Sequence, residues 1–326
     1  MFSRNLRPPS RLLLLLGLAT ALALAGCSRP SSATTDTKAT PLVRIAVGVD
    51  AAFAPFYVAK QEGLFTKAGL NVELVQTEGG PAPTQTVIAG AAQLAGNSDA
   101  TILPLMAKSS SLRAVTVFQE SSKYLKVVLR KGVTDPRQIK KMAVAPGLVT
   151  FATVRYLESK GIARSAVKFV TAGPPDFPTL LGKGDVDGYI LFDPWVTRGV
   201  AQGGHVTETI GDFGVKYVQW IDADQKWLTA NTTTAAKIVK VLAEACEIVT
   251  KQPQRAAEAT EKEVKIPAAQ TAKVLPEITF AIRDITATDV ANSQKIVEFY
   301  QSEKLLDTVP DLHQALLTGW YTKNPA

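Results

Sequence analysis

Short Val/Ile-rich runs alternating with segments of helical period constrain this chain most, because that alternation is what a sheet covered by helices requires. Residues 43–49 form the first such run and end in a turn at 50–54. Pro55 then stands where a first helical residue can lack its N–H, with a helix expected through Phe56, Ala59 and Lys60. Further strands are expected at 72–75, 94–96 and 115–118, with helices at 84–89 and 101–108 between them. After a polar break at 119–123 the alternation resumes, with strands at 124–130, 142–145, 167–170 and 189–192 and helices at 151–159 and 177–181. The fold class is therefore α/β with a largely parallel sheet. Hydrophobic residues make up 46% of the 326 positions, enough apolar content to bury a core in each of two such units.

A faint internal repeat points to two similar halves facing one another. Gly90-Ala91-Ala92-Gln93-Leu94-Ala95-Gly96 can be laid on Gly182-Lys183-Gly184-Asp185-Val186-Asp187-Gly188, each following an apolar helix and leading into a strand. From Thr232 onward the texture becomes helical: Ile238, Val241, Leu242, Ala245 and Val249 fall at helical spacing, residues 290–304 repeat the pattern, and Pro267, Pro276 and Pro310 punctuate it. These helices need a surface to cover, and the economical arrangement packs them back on the first half. The chain would then cross between lobes near 119–124 and 215–221, giving lobe 1 as 42–120 with 218–326 and lobe 2 as 121–217. Cys246, among the apolar positions of one helix, reads as a buried small hydrophobe.

The first 26 residues are a separate object. Arg4, Arg7 and Arg11 form a positive region ahead of an apolar run at 12–24 that is too short to span a bilayer, the pattern of a secretory signal. It ends in Leu24-Ala25-Gly26-Cys27, which resembles the lipobox of bacterial lipoproteins and implies cleavage before Cys27 and lipid on its sulfur. An ordinary signal followed by an unrelated cysteine is the alternative. Residues 27–41, rich in Ser and Thr, have the composition of a flexible tether. The expected location is the bacterial cell envelope, facing the periplasm or the exterior.

Two cysteines and two histidines leave no residues for a Cys/His metal set or a disulfide scaffold. Neither a Gly-x-Ser-x-Gly elbow nor a phosphate-binding Gly-Lys-Ser/Thr loop occurs. No catalytic constellation and no cofactor are expected, so the chain reads as not an enzyme. The 36 Lys and Arg outnumber 29 Asp and Glu, but Arg137, Lys140 and Lys141 are not interleaved with aromatics, which argues against nucleic acid as a partner. His205, after Gly203-Gly204, is expected in an exposed loop.

Two motifs carry a family resemblance. Pro55-Phe56-Tyr57-Val58-Ala59-Lys60-Gln61-Glu62-Gly63-Leu64-Phe65, followed by Ala68-Gly69-Leu70, resembles the opening of periplasmic substrate-binding proteins of the nitrate, sulfonate and taurine ABC transporters, a group that includes thiamine-pyrimidine-precursor binders. Residues 181–188 leading into Phe192-Asp193-Pro194-Trp195 resemble its second-lobe signature. Ala95 departs from it, standing where the first lobe often has Asp, with Asn97-Ser98-Asp99 following. The resemblance implies the two-lobed periplasmic binding protein fold of type II, with a ligand cleft between lobes. It implies a monomeric solute-binding component of an ABC importer, with a permease and its ATPase as partners and a sulfonate, a nitrate-like anion, or an aromatic or pyrimidine compound as ligand. A same-fold enzyme of the pyrimidine-precursor synthase type and a ligand-sensing lipoprotein are the rivals.

In open α/β sheets ligands sit beyond the carboxyl ends of strands, so the turns there supply the candidates. Gly147 and Thr150 open a helix whose free N–H groups suit an anion oxygen, or Thr150 is a solvated first-turn residue. Phe53 and Trp195 are pocket walls or packing aromatics, Asp193 bonds a ligand or caps the following helix, and Asn97, Ser98 and Asp99 line the site or cap theirs. Glu120 contacts ligand or braces a hinge.

Overall fold

The computed structural model describes residues 40–326; the expected signal segment, Cys27 and most of the tether lie outside the described residues. The strands, in chain order, are β1 (Leu42–Gly48), β2 (Asn71–Thr77), β3 (Leu94–Ser98), β4 (Leu112–Ser121), β5 (Lys126–Leu129), β6 (Lys141–Val144), β7 (Lys168–Thr171), β8 (Gly188–Leu191), β9 (His205–Thr209), β10 (Tyr217–Asp224) and β11 (Thr279–Arg283). They form a six-stranded sheet ordered β11-β4-β10-β3-β1-β2 and a five-stranded sheet ordered β7-β6-β8-β5-β9.

The sheets are mixed rather than largely parallel. β1 runs parallel to β2 and β3, and β6 to β7 and β8, whereas β10, β11, β5 and β9 all pair antiparallel. The difference arises from strands whose pattern hides them. β10 lies where a lobe crossing is expected, and it carries buried Gln219 and Asp222 in an otherwise apolar run. β9 is an edge strand with little apolar character, so His205 is exposed, as expected, but on a strand and not in a loop.

The repeat has a structural counterpart in the matching orders β2-β1-β3-β10 and β7-β6-β8-β5. Its aligned segments also do similar work. Gln93 accepts from Arg44 N through Oε1 at 2.7 Å, tying β3 to the start of β1. Asp187 Oδ2 accepts from Lys140 N at 2.8 Å and Lys141 N at 2.9 Å, tying β8 to the start of β6. Both ties sit at the amino-terminal ends of the parallel strands, away from the turns where ligands bind. By these bonds Gln93 is the structural counterpart of Asp187, and Ala95, paired with Ala46, is buried within the sheet.

The chain passes from the larger to the smaller sheet at 122–125 and returns at 210–216, and the two crossings bond to each other through Gly211 N to Ser122 O at 2.8 Å and Ile210 N to Leu125 O at 3.1 Å. Tyr124, fully buried in the first crossing, stacks between Phe192 at 5.5 Å and Tyr217 at 6.2 Å. The helix Thr232–Lys251 lays its apolar face against β11 and the helix Ala54–Gln61. Within it Cys246 is buried against the Phe118 carbonyl, and burial pushes its thiol up to about 12, so it behaves as a small hydrophobe. The helix Ala287–Ser302 reaches across to the smaller sheet's side, with Phe299 edge-on to Phe151 at 5.0 Å.

Candidate functional site

A cavity of ≈ 50 Å³ lies where the carboxyl ends of the two parallel trios face each other. From the larger sheet it takes Asp50 and Phe53 after β1, Gly79-Gly80 after β2, and Asn97, Ser98 and Thr101 at the end of β3. From the smaller sheet come Ala145-Pro146 with Leu148-Val149 after β6, Pro174 after β7, and Leu191-Phe192 at the end of β8; Leu125 joins from the first crossing and Tyr217 from the start of β10. The two sides stand close together around this small volume. An outer cavity of ≈ 390 Å³ adjoins it, sharing Asp50 and Phe192 and adding Glu78 and Trp195.

Phe53 reaches this position because Gly48 and Gly96 leave room for its ring. A Cβ on Gly48 would stand 2.6 Å from Phe53 Cε2, and one on Gly96 would stand 3.0 Å from Cε1. The ring also touches Phe118 and Phe56, so the cleft wall is continuous with the core. Asn97 holds the Gly79-Gly80 turn: its Nδ2 donates to Gly80 O at 2.8 Å and Thr84 Oγ1 at 3.1 Å, while its Oδ1 accepts from Ser98 N at 2.8 Å. Ser98 Oγ donates to Thr101 Oγ1 at 2.8 Å, and that oxygen also accepts Leu148 N at 3.3 Å from the opposite side. This seam closes the cleft over Gly147, whose φ of 90° and tight approach to Thr101 both require glycine.

The other expected residues lie around this centre. Trp195 walls the outer cavity, with Arg198 over its ring at 4.5 Å. Asp193 bonds Thr197 N at 3.0 Å in the first turn of the helix Trp195–Ala201, and its carbonyl accepts the Tyr124 hydroxyl at 3.4 Å. Thr150 Oγ1 donates to Ala145 O at 2.8 Å and borders a neighbouring groove with Lys108 and Arg164. Asp99 and Glu120 line a separate groove of ≈ 780 Å³ beside the crossings. There Glu120 pairs with Lys216 at 2.7 Å and Arg283 at 3.0 Å, which brace a strand end and hold its carboxyl below the usual range.

Asp50 stands out within the cleft. It is buried and accepts from Ala52 N at 2.7 Å and the Tyr124 hydroxyl at 3.1 Å, both through Oδ1. Burial outweighs those bonds and pushes its carboxyl up to about 6. Sequence reasoning pointed to the turn at 50–54 but took Phe53 from it. The position directly after a buried strand was the available signal for Asp50. Tyr124 falls in the expected strand at 124–130 and Tyr217 in the expected crossing at 215–221, so neither was marked as a cleft residue.

Residues 50–256 match the family model described as NMT1/THI5 like. This chain belongs to the NMT1/THI5-like family. The matched stretch begins on Asp50 and contains the cleft turns of both sheets. Over 219 residues this NMT1/THI5-like protein is 28% identical to the nitrate import ATP-binding protein NrtC of Synechocystis, covering 60% of this chain and 33% of that one. It thus spans about a third of the length of that relative. Among solved structures, the periplasmic aliphatic sulphonate binding protein SsuA of Escherichia coli superposes with a TM-score of 0.75 at 18% identity, covering 86% of this chain and 93% of that one. The periplasmic nitrate-binding protein NrtA of Synechocystis does so with a TM-score of 0.69 at 12% identity over 84% of each chain. The two-sheet architecture is the periplasmic binding protein fold.

Proposed function

We propose that this protein is the lipid-anchored solute-binding component of an ABC importer. It captures a small molecule between lobe 1, residues 42–120 with 218–326, and lobe 2, residues 121–217, and presents the closed form to a permease and its ATPase. The observation that carries this reading is the cavity enclosed by strand-end turns of both sheets, with Asp50 and Phe53 on one side and Leu191-Phe192 on the other. A ligand touching both sides favours the closed state by the difference between its affinities for the two forms. Among the described residues two segments join the sheets, so a rigid-body rotation about 122–125 and 210–216 is the economical motion.

A thermal-shift screen of small organic and inorganic solutes, followed by solution scattering on the hits, tests this. A ligand that binds only the folded protein at a hundred times its Kd raises stability by about 2.7 kcal/mol. The hit is expected also to shrink the radius of gyration. A library without hits, or hits that leave scattering unchanged, argues against capture by closure. Anchoring is checked separately: Cys27→Ala is expected to abolish incorporation of labelled fatty acid, and labelling that survives the substitution removes the anchor.

A further inference from the structure

The helix Ala287–Ser302 is built into the larger half, yet it ends against the smaller one. Its start is tied to a crossing. Thr286 and Asp289 cap it reciprocally, Arg283 donates to the two Asp289 carboxylate oxygens at 2.7 and 3.0 Å, and the same guanidinium reaches Glu120 at 3.0 Å. Glu120 in turn pairs with Lys216 at 2.7 Å, in the returning crossing. Near its other end the Tyr300 hydroxyl donates to Ala100 O at 2.7 Å, on the helix Asp99–Lys108. Both ends of the helix are thereby anchored to the larger half.

From that base two side chains reach the opposite half. Phe299 meets Phe151 edge-on at 5.0 Å and 77°, in the first turn of the helix Leu148–Ser159. Just past the helix end, Glu303 stands 4.0 Å from Arg164. The Arg164 guanidinium is already aimed: it lies over the Phe169 ring at 3.4 Å, and its Nη1 donates to Val167 O at 3.0 Å. The bridge runs between two open grooves, one of ≈ 780 Å³ lined by Phe151 and Phe299 and one of ≈ 490 Å³ lined by Arg164, Tyr300 and Glu303. None of Phe151, Arg164, Phe299 and Glu303 lines the inner cavity. Both contacts are made from protein groups alone, and separating the halves breaks both.

We propose that the helix Ala287–Ser302 is a latch on lobe closure, clasping the smaller half through Phe299 and Glu303 and holding the halves together before any solute arrives. An edge-on aromatic pair and a half-shielded ion pair each favour the joined form modestly, as a latch that must release requires. This rests on the solute-binding reading above and adds to it a control that ligand contacts do not supply. The apparent Kd is the intrinsic one divided by the fraction of molecules already joined, so residues remote from the cavity set affinity.

The test is solution scattering and hydrogen exchange on the ligand-free mature chain, following the Leu148 amide because its bond to Thr101 Oγ1 crosses between the halves. Glu303→Arg sets two cations against each other, and Arg164→Glu two anions. Each is expected to enlarge the radius of gyration and to speed exchange at Leu148 by about tenfold, with the melting temperature nearly kept. Combining the two reverses the pair and is expected to restore both readouts. Phe299→Ala is expected to act in the same direction as the single charge reversals. Glu298→Arg, an exposed charge reversal on the same helix, is the unaffected control. Wild-type scattering and exchange in Glu303→Arg, Arg164→Glu and Phe299→Ala overturn the latch. So does expansion that the combined reversal fails to undo while Phe299→Ala is silent, since damage within one half then accounts for it. The reading beneath is judged separately, because a solute screen without hits removes capture and leaves these ligand-free results standing.

Discussion

Gly147→Ala is expected to hold the cleft open and to weaken solute binding by about tenfold or more, with little change in the fold of either half. Gly147 lies at φ 90°, ψ −134°, outside the regions that residues with a Cβ favour, which costs of order 1–3 kcal/mol for any other residue. An added Cβ would also stand 2.9 Å from Thr101 Cβ and 3.0 Å from Thr101 Cα. Thr101 belongs to the helix Asp99–Lys108 on the larger sheet, so the collision is made only when the halves meet. Opening relieves it, and with it goes the Leu148 N to Thr101 Oγ1 bond that spans the seam. The penalty therefore falls on the closed state and appears as lost affinity. Gly161→Ala is the matched control: its φ of +66° carries backbone strain, but nothing lies within 4 Å of the new Cβ. It is expected to lower stability slightly and leave affinity alone. Scattering at saturating ligand separates the two, with the Gly147 variant remaining extended. If that variant contracts and binds as the wild type does, closure does not run through this seam.

The same seam marks how much the chain disclosed in advance. Gly147 and Ser98 were named as site candidates because they follow expected strands, and in the structure their surroundings bond or pack against the opposite half through Thr101. That link depends on a distant partner: Thr101 sits 47 positions from Leu148 and satisfies an amide that local reasoning counts as open. The parallel trios and the repeat were readable because their strands are apolar and their connecting helices periodic. β10 was not, since Gln219 and Asp222 are buried in the middle of a strand that only tertiary pairing reveals. Asn97 shows the same limit at finer scale. Its type and place suited a ligand contact or a helix cap, whereas all its described bonds fix the Gly79-Gly80 turn, Thr84 and Ser98. Polar residues at strand ends can serve the ligand or the turn that holds it, and spacing alone does not separate those uses.

Thermal stability of the ligand-free protein is expected to fall as pH rises from about 5 to about 8, and Asp222 is the main cause. Asp222 is fully buried in β10, with Oδ2 accepting the Thr84 hydroxyl at 2.9 Å and Oδ1 without a partner among the described residues. Desolvation pushes its carboxyl up to about 8, and the same effect raises Asp99 to about 7 and Asp50 to about 6. In the unfolded chain all three ionise near the ordinary 3.8. Between those limits the folded state binds more protons than the unfolded one, so deprotonation favours unfolding as pH increases. Each unit of raised pKa corresponds to about 1.4 kcal/mol, so Asp222 alone is worth several kcal/mol across the window. Asp222→Asn stays neutral throughout. It is expected to melt higher than wild type at pH 8, to differ little near pH 5, and to flatten the profile between. A constant offset at every pH would mean that Asp222 does not titrate there. Thr84 gives this charge a route to the cleft: its hydroxyl bonds Asp222 and accepts from Asn97 Nδ2, which in turn holds the Gly80 carbonyl at the cavity wall.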